Sequence, residues 1–289
     1  MISTLRSLLF VPGNQEDLHK KVMRSSPDAV VFDLEDSVGA ADKNVARVVT
    51  SRGVKFLQET QARVKIMIRI NQSNSEWILK DIAQTANPEI SAVLVPKVEN
   101  SKEVLEIRRN LDNLDCQKVE IIVGLESATG VCNVREIIRE GAVNGIYFGA
   151  EDFVTDLGGL RREDNLEVMV PRAQIAIEAR NAKIVAIDMV VANLNDADRF
   201  IRESLEARAM GFAGKLCIHP NQVQLANKYF QPSKSEIKRA RELLAAYEIG
   251  IKENKGAISY GGELIDAPLV ERATALIALN ELSESESDA

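Results

Sequence analysis

Histidine is almost missing from this chain: His19 and His219 are its only two in 289 residues. Cysteine is scarce as well, confined to Cys116, Cys132 and Cys217, and no two of them form a CxxC pair. A zinc site is therefore left without its usual imidazole and thiolate ligands. Three scattered thiols also make no disulfide framework and suit a reducing compartment. Long apolar runs are absent, none approaching the roughly 18 residues of a membrane span. The opening MISTLRSLLFVPG has too short an apolar run for a signal peptide and passes directly into a strand pattern. A cytoplasmic protein with no membrane partner is expected. Positive charge is not in excess either. The net charge is −7, and the last nine residues, ELSESESDA, hold four of the negatives, which leaves about −3 for the body. Nucleic acid is not the expected partner.

What the chain does contain is a globular composition, 45% hydrophobic and 27% charged, and a recurring punctuation. The punctuation is clearest in NGIYFGAEDFVTDLG, residues 144–158. Gly145-Ile146-Tyr147-Phe148 has the β-branched and aromatic content of a buried strand, and helical spacing resumes at Phe153. Glu151 and Asp152 thus stand at the strand's carboxyl end. Seven more short apolar segments stop at polar residues in the same way. They are 7–11 before Pro12-Gly13, 29–32 before Asp33-Leu34-Glu35-Asp36, 65–68 before Arg69, 92–95 before Pro96-Lys97, 119–125 before Glu126, 184–187 before Asp188, and 215–218 before His219-Pro220. Stretches long enough for a helix separate them. Eight alternations predict an α/β fold, a closed (β/α)8 TIM barrel over residues 1–232, and about 250 residues is the usual size of one. Ligands bind such barrels at the carboxyl ends of the strands.

A C-terminal extension is expected over residues 233–280. Ser233-Lys234-Ser235-Glu236 is a capping box, and it opens a helix with Ile237, Ala240, Leu244 and Tyr247 on one face. Residues 256–265 read as extended, with Gly261-Gly262 as a turn, and Pro268 starts a last helix carrying Leu269, Ala273 and Leu276 on one side. Asp266 lies just before that helix. Residues 281–289 read as a disordered acidic tail.

Three sets of residues carry candidate chemistry. Glu126 and Asp152 end neighbouring strands about 4.8 Å apart and can reach one ion. Two carboxylates that leave the rest of an octahedral oxygen shell open suit magnesium. The alternative is that both acids only cap helices, where acids are common. Arg69 interrupts an apolar strand at its mouth end and must be paired. Either Glu35 or Asp36 on the adjacent strand pairs it structurally, or its fork holds a substrate carboxylate. Lys97 and Lys215 raise Schiff-base aldolase chemistry, and the usual solvated role of lysine stands against it.

RSLLFVPGN, VFDLEDSV, IRIN, VPKVE, GLES, GAEDF, GFAGKLCIHPNQ and GELIDAPLVERA occur in this order over nearly the whole chain. Together they resemble the citrate lyase β-subunit-like family of the HpcH/HpaI aldolase superfamily, which includes malyl-CoA and citramalyl-CoA lyases. Each motif is short, but eight in register are specific. The resemblance implies a magnesium-dependent enzyme that makes or breaks a carbon-carbon bond between an acyl-CoA and a 2-oxo acid. Citramalyl-CoA or malyl-CoA would give acetyl-CoA and pyruvate or glyoxylate.

By the same resemblance Glu126 and Asp152 hold the ion at the substrate and Arg69 contacts the oxo acid. Phe10, Lys21, Ile218 and His219 contact coenzyme A. Asp266 is implied as a catalytic residue delivered by a neighbouring subunit, hence a homo-oligomer, a trimer or hexamer; its other role would be a turn residue before a helix. Asp17 departs from the pattern, standing where a basic residue would suit the coenzyme phosphates. A second reading is the β subunit of a citrate lyase, taking a citryl group from an acyl-carrier protein and giving oxaloacetate. A third is a barrel that only binds, against which stands the presence of Arg69, Glu126, Asp152 and Asp266 together.

Overall fold

Eight short strands pair in chain order, all parallel, and the last returns to the first to close a barrel. They are β1 (Ser7–Pro12), β2 (Ala29–Asp33), β3 (Lys65–Arg69), β4 (Ala92–Val95), β5 (Glu120–Leu125), β6 (Gly145–Phe148), β7 (Val185–Asp188) and β8 (Gly214–Cys217). The structure is a computed structural model and describes residues 5–60, 63–252 and 257–288, without the side chains of residues 252, 263 and 282–288. Helices fill the crossovers: α1 (Glu16–His19), α2 (Lys43–Glu59), α3 (Ile78–Thr85), α4 (Ser101–Asp112), α5 (Ala128–Cys132), α6 (Val134–Arg139), α7 (Ala150–Asp156), α8 (Met169–Ala182) and α9 (Ala197–Met210), and α10 (Pro220–Tyr229) follows the last strand. Among the described residues no helix is long and apolar enough to cross a membrane.

The strands are covered on both faces, so β2 and β4 are buried along their whole length and read as continuous apolar runs rather than alternating ones. Their side chains still divide by a period of two. Leu8, Val31, Met67, Leu94, Ile122, Tyr147, Ile187 and Leu216 pack together as one core, the plug of the barrel. The alternate residues, among them Leu9, Val30, Phe32, Ile68, Val93 and Phe148, join a larger core with helix residues such as Ala46, Leu57, Val104, Ile107, Ile175 and Phe200.

That period fixes what lines the mouth. Two positions past a plug residue stand Phe10, Asp33, Arg69, Gly124, Gly149 and Ile218, and Glu126 follows Gly124 by another two. The strand ends lie within one residue of the expected segments, with one consequence: Asp33 and Arg69 are the last residues of β2 and β3 and are held at fixed register opposite one another.

Residues Gln231–Ala289 form a second compact unit, beginning two residues earlier than expected. The capping box forms as read: Glu236 Oε2 accepts from the Ser233 N–H at 2.7 Å, and Ser233 Oγ accepts from the Glu236 N–H at 3.2 Å. It opens α11 (Lys234–Lys252). A hairpin of β9 (Ile258–Tyr260) and β10 (Glu263–Ile265) follows, antiparallel, with Gly261 and Gly262 both at positive φ as a two-residue turn requires. Ala240, Leu243, Ile265 and Ala273 make its core, with Leu244, Tyr247, Leu269 and Leu276 packed against them. The last helix, α12 (Ala267–Asp288), takes in most of the stretch expected to be a disordered tail. The helix has a local cause there, because glutamate and leucine favour helix and no glycine or proline after Asn280 stops it.

Charges buried under the helices lock the strand-to-helix joints. Arg47 on α2 donates to Asp81 on α3 at 2.8 Å with both side chains fully buried. The other oxygen of Asp81 accepts from the backbone N–H and the side-chain amide of Asn71, just past β3. Asp81→Ala therefore strands a buried guanidinium and an asparagine together. The expected loss is about 3–5 kcal/mol, seen as a lower urea midpoint at unchanged m.

Candidate active site

Arg69 enters the mouth from β3 as a paired residue. Its Nε and Nη2 donate to the two oxygens of Asp33, each at 2.7 Å, and Nη1 lies 2.9 Å from Glu35 Oε2 and 3.6 Å from Asp36 Oδ2. The sequence pointed to Glu35 or Asp36 as the partner, and the structure gives the bidentate place to Asp33. The reason is register, since Asp33 and Arg69 are direct neighbours across β2 and β3. Burial alone would raise the Asp33 pKa, but the charge and hydrogen bonds of Arg69 outweigh it and hold the carboxyl below its ordinary value. Arg69 in turn is held above its own. The guanidinium also sits over the Phe10 ring, 5.1 Å from its centroid. With Asp33 on the Nε side, one N–H each on Nη1 and Nη2 remains for a ligand.

Glu126 follows β5 and is 3% exposed. Its Oε1 accepts from the Tyr147 hydroxyl at 2.5 Å and from the Lys97 backbone N–H at 3.4 Å. Room for this carboxylate comes from two glycines. A Cβ on Gly124 would collide with Glu126 Oε1 and the Tyr147 ring, and one on Gly149 would stand 2.5 Å from Glu126 Oε2. Neither Glu126 nor Asp152 caps a helix. Ser127 caps α5 through its hydroxyl, and Gly149 stands at the N-cap of α7 with Asp152 in the helix's first turn. Asp152 is 43% exposed and lies 3.5 Å from Lys97 Nζ.

Burial pushes the Glu126 carboxyl up to about 8, and the nearby charge of Glu35 adds to the effect. Glu35 is raised as well, by burial first, with Arg69 and Lys97 opposing. Carboxylates crowded in this way call for a cation. Among the described residues no group of three or more His, Cys, Asp or Glu side chains is placed to hold a metal ion. Two carboxylates opening onto a cavity suit magnesium, which keeps several waters, better than a closed cage. The glycine cradle around Glu126 and its raised pKa fit that ion, with Glu126 and Asp152 as the groups that would hold it.

The lysines part company. Lys97 Nζ lies 3.1 Å from Glu35, 3.6 Å from Asp36 and 3.5 Å from Asp152. Burial would lower its pKa, but those carboxylates win and raise it, the reverse of what a Schiff-base nucleophile needs. Lys215 is fully buried on Asp188 and Glu203, at 2.7 and 3.2 Å, and is neither solvated nor at the mouth.

A cavity of about 440 Å³ gathers Phe10, Arg69, Glu126, Tyr147, Asp152 and Ile218. Glu126 and Asp152 also border an adjoining polar cavity of about 590 Å³ that includes Lys97. Ile218, 40% exposed, stands at the rim. His219 and Lys21 line neither cavity. His219 caps α10, its Nδ1 accepting from the Asn221 N–H at 3.2 Å, and Lys21 is exposed after α1. In the second unit Asp266 caps α12, Oδ1 accepting from the Leu269 N–H at 3.2 Å. Sequence reasoning missed Asp33 and Tyr147. The signal for Tyr147 was Gly124, a glycine inside a strand at the register position facing a large aromatic.

Residues 6–220 match the family profile described as HpcH/HpaI aldolase/citrate lyase. The chain belongs to this family. A citrate lyase subunit beta-like protein of Deinococcus radiodurans is 41% identical over 276 residues, covering 95% of this chain and 96% of that one. The human mitochondrial citramalyl-CoA lyase is 32% identical, covering 95% and 85%. Among solved structures, CitE of Mycobacterium tuberculosis in complex with magnesium, acetoacetate and coenzyme A superposes with a TM-score of 0.80 at 27% identity, covering 97% of this chain and all of that one. This HpcH/HpaI member is accordingly a magnesium-dependent lyase.

The pH dependence of the metal-free protein follows from Glu126. Its folded pKa of about 8 exceeds the ordinary 4.5. The associated stability is fully present below pH 4.5 and is lost as pH rises through 8. In chelator the urea midpoint should fall between pH 6 and pH 9 by about a few kcal/mol of stability, and Glu126→Gln should flatten that fall. At pH 7 magnesium binding should release roughly one proton, read by calorimetry in buffers of different ionisation enthalpy.

Proposed function

We propose that this enzyme cleaves, or in reverse forms, a 3-hydroxyacyl-CoA such as citramalyl-CoA or malyl-CoA, giving acetyl-CoA and pyruvate or glyoxylate. The observation that carries the proposal is the charge of the cavity wall. Among the described residues Arg69 is its one basic side chain, against Asp33, Asp36, Glu126, Glu151 and Asp152. One guanidinium edge suits one carboxylate, that of a monocarboxylic 2-oxo acid. Relatives named citrate lyase subunit beta, such as that of Leuconostoc mesenteroides at 32% identity, favour a second reading: a citryl group on an acyl-carrier protein, giving oxaloacetate. In this cavity the second carboxylate of oxaloacetate would meet no second basic side chain beside Arg69, Lys97 lying in the adjoining polar cavity, and on that difference the CoA-linked monocarboxylic reading is preferred.

Each residue then has a task. Asp33 fixes the guanidinium plane of Arg69, and the free Nη edge binds and orients the oxo acid's carboxylate. Glu126 and Asp152 hold magnesium, which when bound supplies a Lewis acid for the oxygen that changes between hydroxyl and carbonyl. Phe10, Val190, Leu216 and Ile218 give the cavity an apolar side that keeps water from the thioester enolate, and Phe10 and Ile218 would face the coenzyme, with Lys21 and His219 beyond the cavity wall. Asp266 gives a proton to the enolate carbon on cleavage and takes one from the acetyl methyl on condensation. It serves a neighbouring copy in a homotrimer or hexamer, presented from the stiff turn that Pro268 closes.

The decisive assay supplies magnesium with malyl-CoA, citramalyl-CoA or a citryl carrier and follows 2-oxo acid and free thiol together. Oxo acid without thiol from a CoA substrate is the expected result; turnover of the citryl carrier alone overturns the proposal in favour of the second reading. Asp266→Ala should lower kcat by about 10²–10⁴-fold while magnesium still binds. Mixed with Arg69→Ala under subunit exchange it should regain part of the activity. No recovery despite exchange places Asp266 in its own subunit's site.

A further inference from the structure

Tyr147 packs in the barrel plug, 1% exposed, and carries a hydroxyl into an otherwise apolar cluster. That hydroxyl is spent on a single atom, Glu126 Oε1, at 2.5 Å. The backbone N–H of Lys97 reaches the same oxygen at 3.4 Å. Oε2 accepts no hydrogen bond from any described residue and rests against Gly149, where a Cβ would approach to 2.5 Å. Gly124 and Gly149 close on the carboxylate from two sides. The two oxygens are thus made unequal by the fold: one is tied, the other is available.

We propose that Tyr147 is a positioning residue that confines Glu126 to one-oxygen ligation and thereby sets the preference of the site for magnesium over calcium. This rests on the assignment of Glu126 as a metal ligand. Magnesium takes six oxygens in strict octahedral geometry, whereas calcium takes six to eight and commonly draws both oxygens of a carboxylate. Turning Oε1 toward an ion would strip a fully buried phenol of its acceptor, and a buried donor without a partner is expensive. The carboxylate also occupies the space that a Cβ on Gly124 or Gly149 would take, so its placement depends on both glycines. Calcium is therefore denied a ligand atom that magnesium does not ask for.

The test is direct titration of magnesium and, separately, calcium into the full chain by calorimetry at one pH, for the unaltered protein, Tyr147→Phe and Glu126→Gln. Tyr147→Phe keeps the ring that fills the plug and removes the hydroxyl; Tyr147→Leu removes the same hydroxyl at smaller volume if the Phe protein does not fold. Magnesium should weaken by about tenfold, the scale of losing a partner that orients a ligand. Calcium should hold or tighten, so that the ratio of the two dissociation constants falls by at least about tenfold. Equal weakening of both ions overturns the inference, because that is what a merely structural role would do, and so does no change in either. Magnesium binding that is indifferent to Glu126→Gln overturns the metal-site assignment itself, a result distinct from failure of the tyrosine's role.

Discussion

A guanidinium at the end of an apolar strand stays out of water only because Asp33 meets it with both carboxylate oxygens. The rest of the mouth is arranged around that pair. Glu35 and Asp36, on the loop after β2, approach Nη1 of Arg69, and the same two acids reach Lys97 after β4. Lys97 continues the chain of charges to Asp152 after β6. Charges that would each be costly to bury alone are thereby held in alternating sign around the mouth.

Behind this ring lies a second layer that makes it rigid. Lys43, buried on α2, donates to the carbonyls of Leu34 and Glu35 and to the side chain of Asn71. Asn71 donates to the Leu34 carbonyl and to Asp81, and Asp81, accepting from both Asn71 and Arg47, is the anchor. The loop carrying Glu35 therefore cannot shift without breaking hydrogen bonds inside the helix layer, where no water replaces them. Loops in a barrel supply the chemistry, but here their backbone is tied to the scaffold as firmly as a strand.

The two lysines raised by the sequence show how much depends on face. Lys97 belongs to the mouth; Lys215 lies between β8 and the helices, in a closed set with Asp188, Glu203 and Arg172. Both are paired; at Lys97 the surrounding carboxylates favour the ammonium form, and Lys215 is fully buried away from the mouth. A Schiff-base aldolase needs a lysine that readily loses its proton, whereas this family member is a magnesium-dependent lyase.

The sequence by itself determined the eight-strand barrel, because each strand is a short apolar run stopped by polar residues, and that punctuation is local. It determined Glu126, Asp152 and Arg69 as mouth residues for the same reason, and it determined the capping box at Ser233 and the turn at Gly261-Gly262. Only the tertiary structure decided that Asp33 rather than Glu35 takes the fork of Arg69, since that choice is a matter of register between β2 and β3. It alone brought Tyr147 onto Glu126, because a tyrosine in an apolar strand reads as packing until the facing glycine is known. And it alone separated Lys97 from Lys215, which are alike in sequence, each beside a strand end. Periodicity tells which residues share a face, but which of two faces meets the cavity is fixed only when the sheet closes and the helices cover its outside.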